Sequence, residues 1–546
     1  MRTMRWVVAA IAWTGLILTA AAVPAQVRRA VRENGEGLGN AHLPTSCNQS
    51  AQKEFDRGLA MLHSFWYEKA EDAFARALAA DRGCAIAHWG MAMTDYHPLW
   101  EPPVPGDGLV RGAEEIRKAK ELGAKTDLEQ EMISSLEVFY RDAERIDHRT
   151  RVASYEREMA HVHQMYPDNR EVTAFYALAM IATAQGTLPV DLTYAKQKAA
   201  GKLLEEILAE EPNHPGAIHY LIHAYDNPEL APQALAAART YAKIAPSIPH
   251  ALHMPGHIFT RLGYWNEDID TNLLSVAAAR NEARTDKTGL ARQEELHSMD
   301  YLLYAYLQSG RVQEARGVLN RLKAMIPSPT GDSFVAAYAM TAIPARYVME
   351  LHTWPEAAKL EPQSKFGPAL EAMTTWSQAV GAARSGNLER ARTSIKQLGV
   401  LQERLKTTDL YWAEQVEIQR MGASAWLSRA EGNQEEALSL MKSAAEREDA
   451  TQKLPVTPGP ILPEREQYAD LLLELGQPSR ALTEYESALK ISPNRFNSLY
   501  GAGKAAAASG KTAQAKMYYQ KLVDSCGPTA SGRPELTEAR AFLRVN

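Results

Sequence analysis

"REQYADLLLELGQPSRALTEYESALKISPN", residues 465–494, decides the fold. Its apolar residues recur at helical spacing. Gly476, Ala481 and Ala488 are small residues of the kind that let two helices approach closely. Tyr485 lies among them, and Pro493 stops the second helix because it has no N–H to continue the ladder. The pattern returns 34 residues later in "NSLYGAGKAAAASGKTAQAKMYYQKLV", residues 497–523, with Gly503, Gly510, Ala515 and Tyr519. A helix pair of this kind cannot bury its apolar face alone, so successive copies must stack.

The same frame fits much of the chain. Gly58, Ala70, Phe74 and Ala77 mark one copy. Pro212 and Pro246 close two more, and Gly310 with Ala315, Gly386 with Ala391, and Gly432 with Ala437 and Ala444 mark others. Roughly ten copies, some degenerate, cover about 47–525. No segment carries a strand pattern. The repeat resembles the tetratricopeptide repeat (TPR), whose unit has the same length, the same small positions and the same closing Pro. The resemblance implies an all-α, right-handed superhelical solenoid of stacked antiparallel helix pairs. It also implies a concave groove lined by repeat positions 2, 5, 9, 12 and 13 of each first helix, with a peptide or small molecule as its usual occupant.

The units group as N-terminal copies over 47–214 with a Pro-rich insertion at 98–110 and a long loop at 185–194. Central copies span 215–330 and further copies 331–453. A C-terminal pair over 454–546 follows "QKLPVTPGPILP" (452–463), which reads as a stiff linker. Ahead of them, residues 26–46 read as a flexible lead-in. Residues 1–25 combine Arg2 and Arg5, an apolar run and the small residues of "VPA", the pattern of a secretory signal peptide, with an uncleaved anchor as the rival. Either way the expectation is export, to a periplasm or the exterior. No later run is long and apolar enough to span a membrane.

Of 546 residues 45% are hydrophobic and 23% charged, with a formal net charge of −6 and no Lys/Arg block, so nothing favours nucleic acid as a partner. Three cysteines are present. Cys47 and Cys84 flank the first helix pair, whose outer ends lie together in an antiparallel arrangement, so a disulfide and two free thiols stand as equal readings.

Histidine carries the functional signal. Fifteen serve the whole chain, and five fall in "GAIHYLIHAYDNPEL" (216–230) and "PHALHMPGHIFTRLG" (249–263). In the repeat frame His219 and His253 share position 5, and His223 and His257 share position 9. His250 and His297 fall at position 2 and Asp300 at position 5, with Asp226 at position 12. By the resemblance these positions face one open groove. Each i, i+4 pair shares a helix face. Two pairs on adjacent helices can surround one ion at about 2.0–2.1 Å. A transition-metal site with His219, His223, His253 and His257 as ligands is the leading reading. His250, His297, Asp300 and Asp226 are additional ligands or orienting groups, and imidazole points to Zn, Cu, Fe or Ni. Six imidazoles exceed four ligands, so either two ions bind or some of the six support the others.

Tyr304 and Arg346, each at position 9, are groove residues suited to an organic anion or a peptide. His63 and His97, also 34 residues apart, are a possible second site; aromatic core packing is the competing account. There is no H-E-x-x-H, G-x-S-x-G or P-loop motif. In particular His219-x-x-x-His223 lacks the Glu a zinc protease would use as base. Whether the protein is an enzyme stays open. A metal-free interaction scaffold is the alternative, since such solenoids serve many roles.

Overall fold

The structure is a computed structural model that describes residues 36–99, 104–185, 189–286, 289–325, 333–528, 530 and 532–545. The signal-like segment 1–25, most of the lead-in, and parts of the 98–110 and 185–194 insertions lie outside the described residues. The described residues form α-helices and two short 3-10 turns, and no β-strand. None of those helices is long and apolar enough to cross a membrane.

Helices pack on their neighbours in sequence as antiparallel pairs, and each pair stacks on the next. The chain is an all-α, TPR-like solenoid. The small-residue positions have a direct cause. A Cβ on Gly58 would stand 2.8 Å from the ring of Phe74, and one on Gly503 would stand 2.6 Å from the ring of Tyr519. In both cases the first helix of a pair makes room for an aromatic ring sixteen positions on in the second. The repeated glycine and aromatic are therefore one packing contact, reused. Cys47 and Cys84 are joined by a disulfide across the outer ends of the first pair, with Cα atoms 5.0 Å apart.

The solenoid folds back on itself around residues 215–308. From the N-terminal side, Trp66 Nε1 donates to Glu282 Oε1 at 2.9 Å. From the C-terminal side, Trp265 Nε1 donates to the Asn494 carbonyl at 2.9 Å, and the Phe496 N–H donates to Gln308 Oε1 at 2.9 Å. Arg495 is fully buried between Glu350 and Glu466.

One segment departs from its expected role. Residues 452–463 are a strap held inside the groove, not an exposed linker. Val456, Thr457, Ile461 and Leu462 are buried. Strap carbonyls accept hydrogen bonds from groove residues: those of Pro455 and Thr457 from Tyr301 Oη at 3.1 and 3.0 Å, those of Gly459 and Pro460 from Arg346 at 3.2 and 2.9 Å. A proline-rich chain has few N–H groups of its own to satisfy, and its free carbonyls suit such donors.

Candidate metal centre

The histidines stand on four helices. His219 and His223 lie on Pro215–Tyr225, which opens with Pro at its first position. His250 and His253 lie on Pro249–His253, and His257 on Pro255–Leu262. Pro255 divides those two helices, yet Met254 keeps a helical backbone, so the i, i+4 relation of His253 and His257 survives. His297 lies on Leu290–Gln308.

The structure gathers the six imidazoles into two adjacent triads. In His219–His223–His250, and again in His253–His257–His297, one ligand-capable atom from each residue lies within 4.8 Å of the others. The triads touch: ring centroids of His223 and His257 are 5.8 Å apart, and those of His250 and His253 6.2 Å. The expected open groove is closed here. All six residues are buried, His223 being the most exposed at 9%. The strap covers one side. On the other, Phe65, at a left-handed φ of 55° in the turn of the first helix pair, sets its ring 4.4 Å from that of His219 and 5.5 Å from that of His250.

The hydrogen bonds assign the protons. His219 Nδ1–H donates to the His63 carbonyl at 2.6 Å, and His250 Nδ1 lies 3.0 Å from Glu294 Oε1. His253 Nδ1–H donates to Asn272 Oδ1 at 2.7 Å; the Asn272 amide nitrogen is itself committed to Asp268, which fixes its oxygen toward the ring. His257 Nδ1–H donates to Asp226 Oδ2 at 2.9 Å. A ring that gives its Nδ1 proton to an acceptor presents a bare Nε2 lone pair. The Nε2 atoms of His219 and His223 stand 3.1 Å apart, and those of His253 and His257 3.0 Å. In the second pair both rings have their proton on the far nitrogen, so two lone pairs face each other.

Burial favours the neutral form of five of these rings. It lowers His219, His223, His253 and His297 well below the usual imidazole value, with neighbouring imidazoles adding to the effect. His257 falls to about 4 for the same reason, partly opposed by Asp226. Burial pushes the Asp226 carboxyl up, but Lys453, Arg261 and His257 outweigh it and hold it well below its ordinary range. Lys453 reaches Asp226 Oδ2 from the strap at 2.8 Å and Arg261 reaches Oδ1 at 2.8 Å. Asp226 thus orients His257 and takes no place among the converging nitrogens.

Other sequence-predicted residues lie elsewhere. Asp300 is locked in a buried ion pair with Arg346, 3.1 Å, which removes it as a ligand and removes Arg346 from any open surface. Tyr304 is buried too, with the guanidinium of Arg346 5.0 Å from its ring centroid and that of Arg495 5.9 Å. His63 and His97 have separate surroundings: the ring of His97 stacks on Tyr67 with centroids 4.0 Å apart, whereas His63 joins Glu171 and His214. That third cluster has a different proton assignment. His214 Nδ1 accepts the Ala217 N–H, so its proton is on Nε2, 3.4 Å from Glu171 Oε1. His63 Nε2 lies 2.6 Å from Glu171 Oε2 and its Nδ1 2.9 Å from Tyr220 Oη, and the His42 N–H adds another donor to the carboxylate. The Glu171 carboxylate is the hub of this cluster, which could itself hold a metal ion, and His214 Nε2 makes no hydrogen bond in it. Its job is to hold the His63 carbonyl against His219, and Gly216 makes this possible, since a Cβ there would stand 2.3 Å from His63 Nδ1.

Sequence reasoning missed Asn272, Tyr301, His214, Glu171 and Lys453. Tyr301 had a signal: it follows His297 by four residues, as His223 follows His219, and its ring centroid lies 4.7 Å from that of His253. Lys453 had none, being 227 residues from its partner.

No protein-family model and no curated protein sequence matches the chain. Solved helical-repeat structures do. A tetratricopeptide repeat protein from Parabacteroides merdae is 15% identical, with a TM-score of 0.29 over 55% of this chain and 98% of its own. Human IFIT1, as a dimer with PPP-AAAA, is 11% identical with a TM-score of 0.38 over 91% of this chain and 100% of its own. Yeast Tom70 is 12% identical with a TM-score of 0.30 over 90% and 95%. At such low identity and overlap these likenesses say nothing of ligands. The chain is a TPR-like helical repeat protein with three buried His-rich triads that could hold metal, two of them built of histidine alone.

Proposed function

We propose that this protein is an exported metalloprotein whose two histidine triads each bind a transition-metal ion. The observation that carries the reading is the His253–His257 pair. Two bare Nε2 lone pairs 3.0 Å apart repel unless a cation lies between them. A proton is the poorer cation, because burial holds both rings below their ordinary value. A metal ion about 2.0–2.1 Å from each nitrogen would see them at roughly 95°, near the edge angle of an octahedral site, narrower than a tetrahedral one and far from a linear two-coordinate site. The supporting acceptors, a carboxylate on His257, an amide oxygen on His253 and a backbone carbonyl on His219, are the partners that metal-bound imidazoles use. The donor set is nitrogen only, which suits Zn, Cu, Fe or Ni and disfavours Ca and Mg. The Cys47–Cys84 bridge and the signal-like segment support export.

Elemental analysis of protein purified from the export compartment tests this. One ion per triad is expected, with the first lost in His219→Ala and the second in His253→Ala. Protein that carries no transition metal, and takes none up from stoichiometric zinc, copper, iron or nickel salts, overturns it.

A second reading, a metal-free binding scaffold, is favoured by one observation. The strap borders a cleft of about 390 Å³ lined by Tyr194, Tyr304, Tyr338, Trp376, Tyr411 and Trp412. Aromatic walls of this kind receive proline-rich segments, and here the chain's own prolines stand beside them.

A further inference from the structure

The two triads differ in access. His253, His257 and His297 are 0–1% exposed, behind Tyr301 and the strap. His223 is 9% exposed and forms part of the wall of a cavity of about 60 Å³, together with Asp226, Asn227, Gln197, Tyr411 and Lys453. Phe65 closes the opposite side of the same triad, 5.8 Å from the His223 ring by centroids. The cavity therefore opens on one edge of the first triad only. Its volume holds a few waters, so a species of three or four heavy atoms fits and a peptide does not.

The charges at this wall are unequal. Asp226 is the one carboxylate, and it is held by two cations, Lys453 at 2.8 Å and Arg261 at 2.8 Å. Asp226 and Lys453 cancel on the wall itself, and Arg261, which bonds Asp226 from outside the wall, makes the balance positive before any metal is added. Asn227 and Gln197 add amide groups to the wall. A desolvated cation beside a confined polar cavity draws in anions.

We propose that the ion on His219–His223–His250 keeps an open coordination position that takes a small anion, of the size of azide, carbonate or formate, through this cavity, and that Lys453 draws the anion in. The ion on His253–His257–His297 is closed to ligands. This rests on the metal reading above and adds a division of labour to it: one triad exchanges ligands and the other is sealed.

Cobalt(II) is a suitable probe because its visible bands report coordination. The full chain is loaded with cobalt, counted by elemental analysis, and titrated with azide. Two cobalt ions per chain are expected, with azide altering the bands of one. His223→Ala and His223→Gln should each abolish the azide response, the latter guarding against collapse of the helix. His297→Ala should lose one cobalt and keep the response. Lys453→Met should hold both ions and need about tenfold more azide. Two bound cobalt ions with no azide response, a response from both, or a response that survives in both His223 variants overturns this inference and leaves the metal reading standing. No cobalt uptake overturns this inference, and the metal reading falls with it when zinc, copper, iron and nickel are refused as well.

Discussion

Lys453 donates to Asp226 Oδ2 at 2.8 Å, and the same oxygen accepts the His257 Nδ1–H at 2.9 Å. One carboxylate atom therefore joins the strap to the second triad. Asp226→Asn should separate the two jobs. The amide can still offer an oxygen to His257 and Lys453, but its charge is gone and its NH₂ must then face Arg261. Metal affinity of the second triad should fall about 10–100-fold, the usual cost of losing a partner that orients a ligating histidine. Competition against a chromophoric chelator measures this. Unchanged affinity would show that Asp226 serves the strap alone.

Arg346 tests what holds the strap. It is fully buried, pairs with Asp300, and donates to the carbonyls of Gly459 and Pro460. Arg346→Met leaves the Asp300 carboxylate without its cation and should cost about 3–5 kcal/mol in urea unfolding. Adding Asp300→Leu removes the stranded charge and should recover most of that loss. The double variant should still exchange its strap amides, residues 454–462, faster than wild type by hydrogen–deuterium exchange. A double variant with native protection there would mean that Tyr301 and Lys453 suffice.

These two cases mark what the sequence could carry. Helix pairing was legible because it rests on a local rule, a glycine or alanine sixteen positions before an aromatic, repeated at a fixed period. The histidine register was legible for the same reason: His219 and His253 occupy equivalent places in adjacent copies. The covering of the site was not. A repeat frame describes each unit against its neighbours, whereas the strap meets Asp226, Tyr301 and Arg346 from up to 227 residues away. Seen only as composition, "QKLPVTPGPILP" is a linker; its prolines leave carbonyls free, and nothing local says that an arginine and a tyrosine will take them. The same gap made Asp300 and Arg346 look like groove residues when they satisfy each other.

Acid should weaken the metal-free protein in a defined window. In the unfolded chain each imidazole binds its proton near the ordinary 6.5, while in the fold His257 stays neutral down to about 4 and His219, His223, His253 and His297 lie well below their ordinary value. Between about 6.5 and 4 the unfolded state holds more protons, so stability rises with pH across that window and is lost as pH falls through it. His257 alone contributes on the order of 3 kcal/mol. Urea unfolding of the metal-free protein from pH 7.5 to 4.5 should show a steep loss below about 6.5. His257→Gln, which cannot titrate, should flatten the slope. A flat wild-type profile would mean that the triads take up protons as readily folded as unfolded.

The disulfide should matter to one triad more than to the other. Cys47 and Cys84 close a loop of 37 residues, and removing such a constraint costs about 3–4 kcal/mol in the chain-entropy account. That loop contains the first helix pair, with Phe65 and the His63 carbonyl in or beside the turn between its helices. Both bear on the first triad: the carbonyl fixes the proton of His219, and Phe65 packs on His219, His223 and His250. The second triad takes its support from Asn272, Asp226 and Tyr301, none of them inside the loop. A Cys47→Ser, Cys84→Ser variant should therefore lower overall stability and release the metal of the first triad at lower chelator concentration, with the second unchanged. Loss of both ions together would show that the triads act as one site.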